Sequence, residues 1–276
     1  MTSPAALEAL PPLRDVIRDA GLRADKKFGQ NFLLDLNITR KIVKLAKLPD
    51  NANLIEIGPG PGGLTRALLE TGGHVQAYEL DERVRPILDQ LTAASDGRLT
   101  VHMQDAMGVD WAKTLNNSHI VANLPYNVAT PLIIGWLYAS YTDPASLASM
   151  SVMVQAEVAD RLVAAPGSKI YGRLSVMAQW LMTVAPTITL PPSAFTPPPK
   201  VHSTVVRFVP RADRPAADFK TMEKVVAAAF NQRRKMIRSS LGAYNFDFEA
   251  LGIAPTVRAE ELSVDDYVRL SNAVRA

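Results

Sequence analysis

Short apolar runs alternate with amphipathic, helix-like patterns through the middle of this 276-residue chain. Such alternation is typical of a parallel sheet whose strands are joined by right-handed helical crossovers. The pattern therefore predicts an α/β fold in which helices cover the sheet. The predicted strands cover residues 53–57, 74–79, 99–104, 118–122 and 149–155, and the predicted helices cover residues 37–47, 62–70, 82–93 and 131–140.

The pattern changes in the last third of the chain. Apolar runs at residues 177–189 and 204–209 have no full helical pattern between them, which predicts an antiparallel hairpin at one edge of the sheet. Residues 210–215 then predict a linker. Beyond the linker the apolar periodicity is helical at residues 219–230, 233–241 and 264–274.

We therefore expect two domains, a catalytic sheet domain over residues 1–209 with a basic N-terminal segment and a small all-helical domain over residues 210–276.

Basic side chains concentrate towards both ends of the chain, although its net charge is only +3. Residues 14–47 alone carry nine Lys or Arg and four Asp or Glu. Basic flanks favour a polyanionic partner, but a solvated surface of mixed charge accounts for the same counts.

The chain contains no cysteine, which excludes disulfides, thiolate nucleophiles and cysteine-ligated metal centres. Its apolar runs fall short of the ~18 residues of a transmembrane helix. The N-terminus also lacks the basic start and unbroken apolar stretch of a signal peptide. We expect a cytoplasmic protein with no metal and no membrane partner.

Ligands of a parallel sheet bind at the edge where the strands have their carboxyl ends. The first predicted strand runs into a glycine-rich turn in which Gly58, Gly60 and Gly63 have the spacing of a dinucleotide fingerprint. Pro59 and Pro61 remove two N–H donors from this turn, and a pyrophosphate needs such donors. The turn therefore favours a ligand other than a dinucleotide. The preceding Glu56 either orients the turn or is partly exposed.

The next two predicted strands end in carboxylates. Glu79 lies 21 residues after Gly58 and could accept the two ribose hydroxyls of an adenosine, or could serve as an acid near a helix N-terminus. Asp105 could accept from an adenine amino group, or could be a surface turn residue. Both positions fit an adenosine-containing cofactor.

The fourth predicted strand ends in Asn123, Leu124, Pro125 and Tyr126. Because Pro125 fixes the backbone, the Asn123 side-chain oxygen and the Leu124 carbonyl can point at one amino group. Tyr126 offers a flat face on which a base can stack. A proline turn with a buried tyrosine is the alternative for these residues taken alone.

Together these strand ends resemble those of the S-adenosylmethionine-dependent ribosomal RNA adenine dimethyltransferases, and within them the small-subunit (16S) type. Four further stretches carry the resemblance: KKFGQNFLLD at 26–35, YGRLSV at 171–176, FTPPPKVHSTV at 195–205 and FNQRRKMIR at 230–238. One departure is His202, because relatives often have an acidic residue there.

The resemblance implies a Rossmann-like methyltransferase sheet with a small helical domain, and S-adenosylmethionine as cofactor. It also implies dimethylation of N6 on two adjacent adenosines of a hairpin loop near the 3′ end of small-subunit RNA, in a pre-30S particle, by a monomer. Phe195 is expected to cover the target base opposite Tyr126. The cofactor-binding residues implied are Asn31, Leu33, Gly58, Gly60, Glu79, Asp105 and Asn123, and the expected RNA contacts are Lys26, Lys27, Arg173, Arg233, Arg234, Lys235 and Arg238.

Three other functions share parts of the pattern. A nicotinamide oxidoreductase shares the glycine spacing and the downstream acid, but it leaves residues 123–126 and Phe195 unexplained. A non-catalytic ribosome-assembly factor would not need Glu79 and Asn123. A large-subunit adenine methyltransferase of the antibiotic-resistance type is a closer alternative, and the stretch at 230–238 favours the small-subunit type over it.

Overall fold

The structure of the protein is a computed structural model, and it describes residues 4–25 and 29–274. No helix in these two ranges is both long and apolar enough to cross a membrane. The helices are α1 (Pro4–Glu8), α2 (Leu13–Asp19), α3 (Leu36–Ala46), α4 (Gly63–Leu69), α5 (Arg85–Ala94), α6 (Trp111–Thr114), α7 (Ala129–Thr142), α8 (Ala156–Val163), α9 (Arg173–Leu181), α10 (Phe219–Asn231), α11 (Ile237–Ser240) and α12 (Val264–Asn272). The strands are β1 (Phe32–Leu33), β2 (Asn53–Ile57), β3 (His74–Glu79), β4 (Leu99–Met103), β5 (Ser118–Asn123), β6 (Leu147–Gln155), β7 (Met182–Leu190), β8 (Phe195–Thr196) and β9 (Ser203–Pro210).

The main sheet has the strand order β4-β3-β2-β5-β6-β9-β7 within the described residues. Five neighbouring strands pair in parallel, in the order β4, β3, β2, β5 and β6. They can do so because a helical segment lies between each strand and the next one along the chain. Strand β9 then pairs antiparallel with both β6 and β7, which closes this edge. The predicted α/β fold, its parallel strands and its antiparallel edge hairpin are confirmed.

The strand predicted at residues 177–189 is wrong in its first part. Residues 173–181 form α9, and the strand begins only at Met182. Val176, Met177 and Trp180 are all buried. A helix buried on most sides has a nearly continuous apolar sequence, so its period does not distinguish it from a buried strand. Helix α8 had no predicted counterpart.

The helix predicted at residues 233–241 is also mostly wrong. Helix α10 ends at Asn231, and the chain turns through residues 232–236 before the short α11. Met236 pairs with Arg258 in an isolated antiparallel bridge, and the Ile237 amide donates to the Val257 carbonyl across 2.8 Å. These long-range contacts stabilise a turn where local periodicity favours a helix.

One apolar cluster extends from the sheet into the C-terminal helices. It includes Trp136 on α7, Trp180 on α9, and Phe219 and Tyr267 on α10 and α12. The predicted linker, residues 210–215, is also hydrogen-bonded to α9, because the Trp180 indole donates to the Pro215 carbonyl across 2.8 Å. The core is therefore continuous across residue 210, and the division into domains there stays a prediction.

A second apolar cluster places the N-terminal segment against the glycine-rich turn. Helix α3, capped by the Asp35 side chain on the Asn37 amide, packs beside α4. Just before it, β1 pairs with β8, which sets Leu33 opposite Phe195. Segments more than 160 residues apart in sequence thus meet at the carboxyl edge of the sheet.

Candidate functional site

A cavity lies at the carboxyl edge of the central parallel strands. Five separate parts of the chain line it: residues 29–33, 56–64, 78–80, 104–107 and 123–128, with Leu132 behind them. The structure brings all seven of the predicted cofactor-binding residues to this cavity, namely Asn31, Leu33, Gly58, Gly60, Glu79, Asp105 and Asn123.

The glycine-rich turn between β2 and α4 packs closely on the N-terminal segment. Gly60 has φ 52°, and a Cβ there would lie 3.2 Å from the Phe32 ring. A Cβ on Gly63 would overlap the carbonyl oxygen of Leu33. Glycine at these two positions therefore allows residues 32–33 to form one wall of the cavity.

Glu79 holds the turn from the end of β3. Its Oε2 accepts from the Gly60 amide at 3.0 Å, and its Oε1 accepts from the Leu80 and Asp81 amides at 2.8 Å each. Burial raises the pKa of Glu79, and these backbone hydrogen bonds oppose that change. The carboxylate is thus fixed at the cavity wall, and Oε2, which accepts from one amide only, keeps a lone pair for a ligand hydroxyl.

Asp105 follows β4 by two residues and lines the cavity. Its Oδ1 accepts from the Met107 amide at 2.8 Å, which caps the short turn that follows. The residue is exposed, as a surface turn residue would be, yet it lines the cavity beside Met107. The turn geometry and a ligand contact are therefore compatible at this position.

The side chain of Asn123 has a defined orientation. Its Nδ2 donates to the Asn31 carbonyl oxygen across 3.1 Å, so the amide oxygen is the end left to accept from a ligand. Leu124 is 2% exposed, and Pro125 follows it on the cavity wall. The Tyr126 hydroxyl lies 3.0 Å from the Ser203 hydroxyl at the start of β9, which anchors the ring at the mouth of the cavity.

Phe195 is the predicted site residue that the structure keeps away from this wall. It is 4% exposed and packs in the apolar cluster with Leu33, Leu190 and Val205. It is not among the residues that line the cavity in the described part of the chain. Its role over the target base stays a prediction.

Sequence reasoning left the role of Glu56 open between orienting the turn and partial exposure. The side chain is only 1% exposed and lines the cavity, so partial exposure is excluded. Burial raises the pKa of Glu56 to about 8, and the charge of Glu79 acts in the same direction. Its Oε2 has no hydrogen-bond partner among the described residues. An acid inside an otherwise apolar strand was the signal in the sequence.

A hydrogen-bonded network that the sequence did not predict extends outward from Gln30, which lines the cavity. The Gln30 side chain donates to Asp81 at 2.8 Å and accepts from the Asp25 amide at 3.0 Å. Arg83 forms an ion pair with Asp81 at 2.6 Å. Burial alone would raise the pKa of Asp81, but hydrogen bonds from Arg83 and Gln30 lower it.

The cavity fits S-adenosylmethionine, the expected cofactor. The Glu56 carboxyl oxygen that has no hydrogen-bond partner among the described residues is an acceptor at the cavity wall. Glu79 and Asp105 supply acceptors for hydroxyl and amino groups at the ends of adjacent strands. The described residues form no cluster of His, Asp or Glu with the makeup of a metal site.

The predicted RNA-contact residues differ in their surroundings. Arg173, at the start of α9, is exposed, as are Arg234, Lys235 and Arg238. Arg233 is half-buried and bonded within the protein. Lys26 and Lys27 lie outside the described residues.

Comparisons with known proteins identify the family of the chain. The family described as ribosomal RNA adenine dimethylase matches residues 21–275. A protein of Phenylobacterium zucineum named ribosomal RNA small subunit methyltransferase A is 51% identical over 273 residues, covering 97% of this chain and 94% of that protein. A protein of the same name from Xanthobacter autotrophicus is 50% identical over 277 residues, covering 97% and 95%.

Two solved structures share the fold. A dimethyladenosine transferase from Plasmodium falciparum has a TM-score of 0.72 at 23% identity, covering 86% of this chain and 94% of that chain. The 23S rRNA methyltransferase ErmE has a TM-score of 0.66 at 22% identity, covering 88% and 99%. Because the family match spans nearly the whole chain, this chain belongs to the ribosomal RNA adenine dimethylase family.

Proposed function

We propose that the protein transfers methyl groups from S-adenosylmethionine to N6 of two adjacent adenosines, two to each, in a hairpin loop near the 3′ end of small-subunit (16S) ribosomal RNA. The observation that carries this proposal is the fixed amide of Asn123, whose Nδ2 is held by the Asn31 carbonyl. The names of the relatives, at about half identity over nearly the whole chain, support the small subunit as substrate.

The amino group of adenine is a poor nucleophile because its lone pair is delocalised into the ring. The Asn123 side-chain oxygen and the Leu124 carbonyl accept its two hydrogens and stabilise the positive charge that develops on N6. Tyr126 stacks on the base once it has left the RNA stack. Alignment of this kind contributes several kcal/mol to catalysis.

The remaining residues hold the cofactor. Bound S-adenosylmethionine supplies an activated methyl group. Glu79 and Asp105 bind its adenosine part, and Asn31, Leu33, Gly58 and Gly60 form the wall beside it. The hydrogen bond from Gln30 to Asp81 holds residues 29–33 in place as part of this wall. After transfer, the proton lost from N6 passes to water.

The proposed partner is the small-subunit RNA of a pre-30S particle, bound by a monomer in the cytoplasm. Exposed basic residues on α9, the turn after α10 and α11 support this, because phosphate contacts supply most of the affinity for RNA. They are Arg173, Arg234, Lys235 and Arg238.

The test uses small-subunit particles that lack the modification. They are incubated with the protein and labelled S-adenosylmethionine, and the methylated nucleosides are identified by mass. We expect N6,N6-dimethyladenosine at two adjacent positions. Label on large-subunit RNA instead would indicate the resistance-type enzyme, and tight binding without transfer would indicate an assembly factor. Either result would overturn the proposal.

A further inference from the structure

The turn after α10 carries three consecutive basic residues, and the structure separates the first from the other two. Arg234 and Lys235 are exposed. The Arg233 guanidinium instead donates to the main-chain carbonyls of Lys169 at 2.9 Å and Tyr171 at 2.8 Å. It also forms an ion pair with Glu260 at 3.2 Å. Its donors are thus largely used inside the protein.

The two carbonyls belong to the segment between α8 and α9, residues 164–172. The same segment also contacts Glu260 directly, because the Gly167 amide donates to the Glu260 main-chain oxygen at 2.7 Å. Tyr171 anchors its end, since the side chain is fully buried and its ring lies 6.1 Å from the Phe230 ring. The Arg233 guanidinium carbon lies 5.7 Å from the centre of that same ring.

Arg233 therefore joins three stretches of chain: residues 164–172, the end of α10, and the turn at Glu260. A planar guanidinium can donate to several acceptors in one plane, whereas the lysine ammonium is a single point on a flexible stem. The contacts depend on the shape of the group as well as on its charge. A phosphate contact, in contrast, depends mainly on charge.

We propose that Arg233 is a positioning residue that holds segment 164–172 against the C-terminal helices, so that Arg173 and the neighbouring Arg234 and Lys235 present one basic surface to the RNA. The chain connectivity supports a single surface, because Arg173 lies two residues after the carbonyl that Arg233 binds, and Arg234 is its direct neighbour. The inference rests on the proposed function, since it assigns a role in RNA binding.

The test compares two substitutions at each of two adjacent arginines: Arg233→Lys, Arg233→Ala, Arg234→Lys and Arg234→Ala. Binding to unmodified small-subunit particles is measured for each, together with amide hydrogen exchange of residues 165–171 in the RNA-free protein. We expect Arg233→Lys to behave like Arg233→Ala, with affinity about tenfold weaker and exchange at least about tenfold faster. Arg234→Lys should keep the affinity and Arg234→Ala should lower it, both without a change in exchange.

Retention of wild-type affinity and exchange by Arg233→Lys would overturn the proposal, because charge alone would then suffice. Faster exchange with unchanged affinity would overturn it as well, because the segment would then play no part in binding. Calorimetric binding of S-adenosylmethionine shows that each variant is folded. Failure of the wild-type protein to bind small-subunit particles would instead count against the proposed function, and the exchange data would still test the Arg233 contacts.

Discussion

The Asn123 side-chain amide donates to the main-chain carbonyl of Asn31 across 3.1 Å, although 92 residues separate the two in sequence. This hydrogen bond joins the end of β5 to the N-terminal segment, and it selects which end of the Asn123 amide faces the cavity. One contact therefore both joins two parts of the cavity wall and orients the group that we propose binds the target amine.

Asn123→Ala should lower the rate of methyl transfer by about 100-fold or more, because an acceptor for the developing charge is lost. S-adenosylmethionine binding should weaken as well, since residue 31 loses its anchor. Single-turnover kinetics and calorimetry measure the two effects. Asn37→Ala, at an exposed position on α3, is the matched control and should change neither. An active Asn123→Ala enzyme would contradict the assigned role.

Tyr126 offers a test that separates its ring from its hydroxyl. Tyr126→Phe keeps the stacking face and loses only the contact with Ser203, so transfer should fall by less than about tenfold. Tyr126→Ala removes the face and should cost about 1–3 kcal/mol, or roughly 5- to 150-fold. Steady-state transfer to small-subunit particles checks both. Equal losses in the two variants would place the effect in the hydroxyl and not in stacking.

Glu56 should make the cofactor-free protein less stable as the pH rises. Its pKa is about 8 in the folded protein, against an ordinary value of 4.5. Between these values the folded state binds more protons than the unfolded chain, so the free energy of unfolding falls with increasing pH. Glu56→Gln removes this contribution and should stabilise the protein at pH 8 by on the order of 2–4 kcal/mol, with little effect near pH 4.5.

Urea unfolding of both proteins from pH 4.5 to pH 8, without cofactor, measures this difference. Glu249→Gln, at an exposed position, is the control for loss of one negative charge. Parallel pH profiles for Glu56→Gln and the parent protein would show that Glu56 is ionised in both states.

Gly63→Ala should destabilise the protein by about 1–3 kcal/mol, because the added methyl group overlaps the Leu33 carbonyl and backbone must move. Gly108→Ala is the matched control, since a Cβ there meets nothing within 4 Å. We expect it to change stability by less than about 0.5 kcal/mol. Urea unfolding measures both variants. Equal free energies of unfolding for Gly63→Ala and Gly108→Ala would show that β1 does not pack closely against the glycine-rich turn.

The strand ends could be predicted because each follows a short apolar run bounded by a turn. In a parallel sheet this is enough to bring Gly58, Glu79, Asp105 and Asn123 to one edge, whatever the helices between them do. The predicted boundaries of helices and strands were wrong where tertiary contacts decide which structure forms. Helix α9 is buried on most sides, so its sequence lacks the polar face that distinguishes a helix from a strand.

Side-chain roles that depend on distant partners could not be predicted. Nothing near Arg233 in the sequence indicates that Glu260 and two carbonyls of residues 169–171 take up its donors. The Gln30 and Asp81 pairing is similar, because its partners are 51 residues apart. A basic run or a polar residue in a motif shows which functional groups are present. The neighbours of each side chain in space decide whether it is exposed to a ligand or bonded within the protein.

The pairing of β1 with β8 also sets an order of events for a newly made chain. Leu33 is synthesised early, but its strand partner Phe195 follows more than 160 residues later. Ser203, the hydrogen-bond partner of Tyr126, follows Tyr126 by more than 70 residues. The wall of the cavity around residues 32–33 therefore lacks its support until most of the polypeptide has left the ribosome. A nascent fragment that ends before residue 195 should capture S-adenosylmethionine poorly, even though it already contains every predicted cofactor-binding residue.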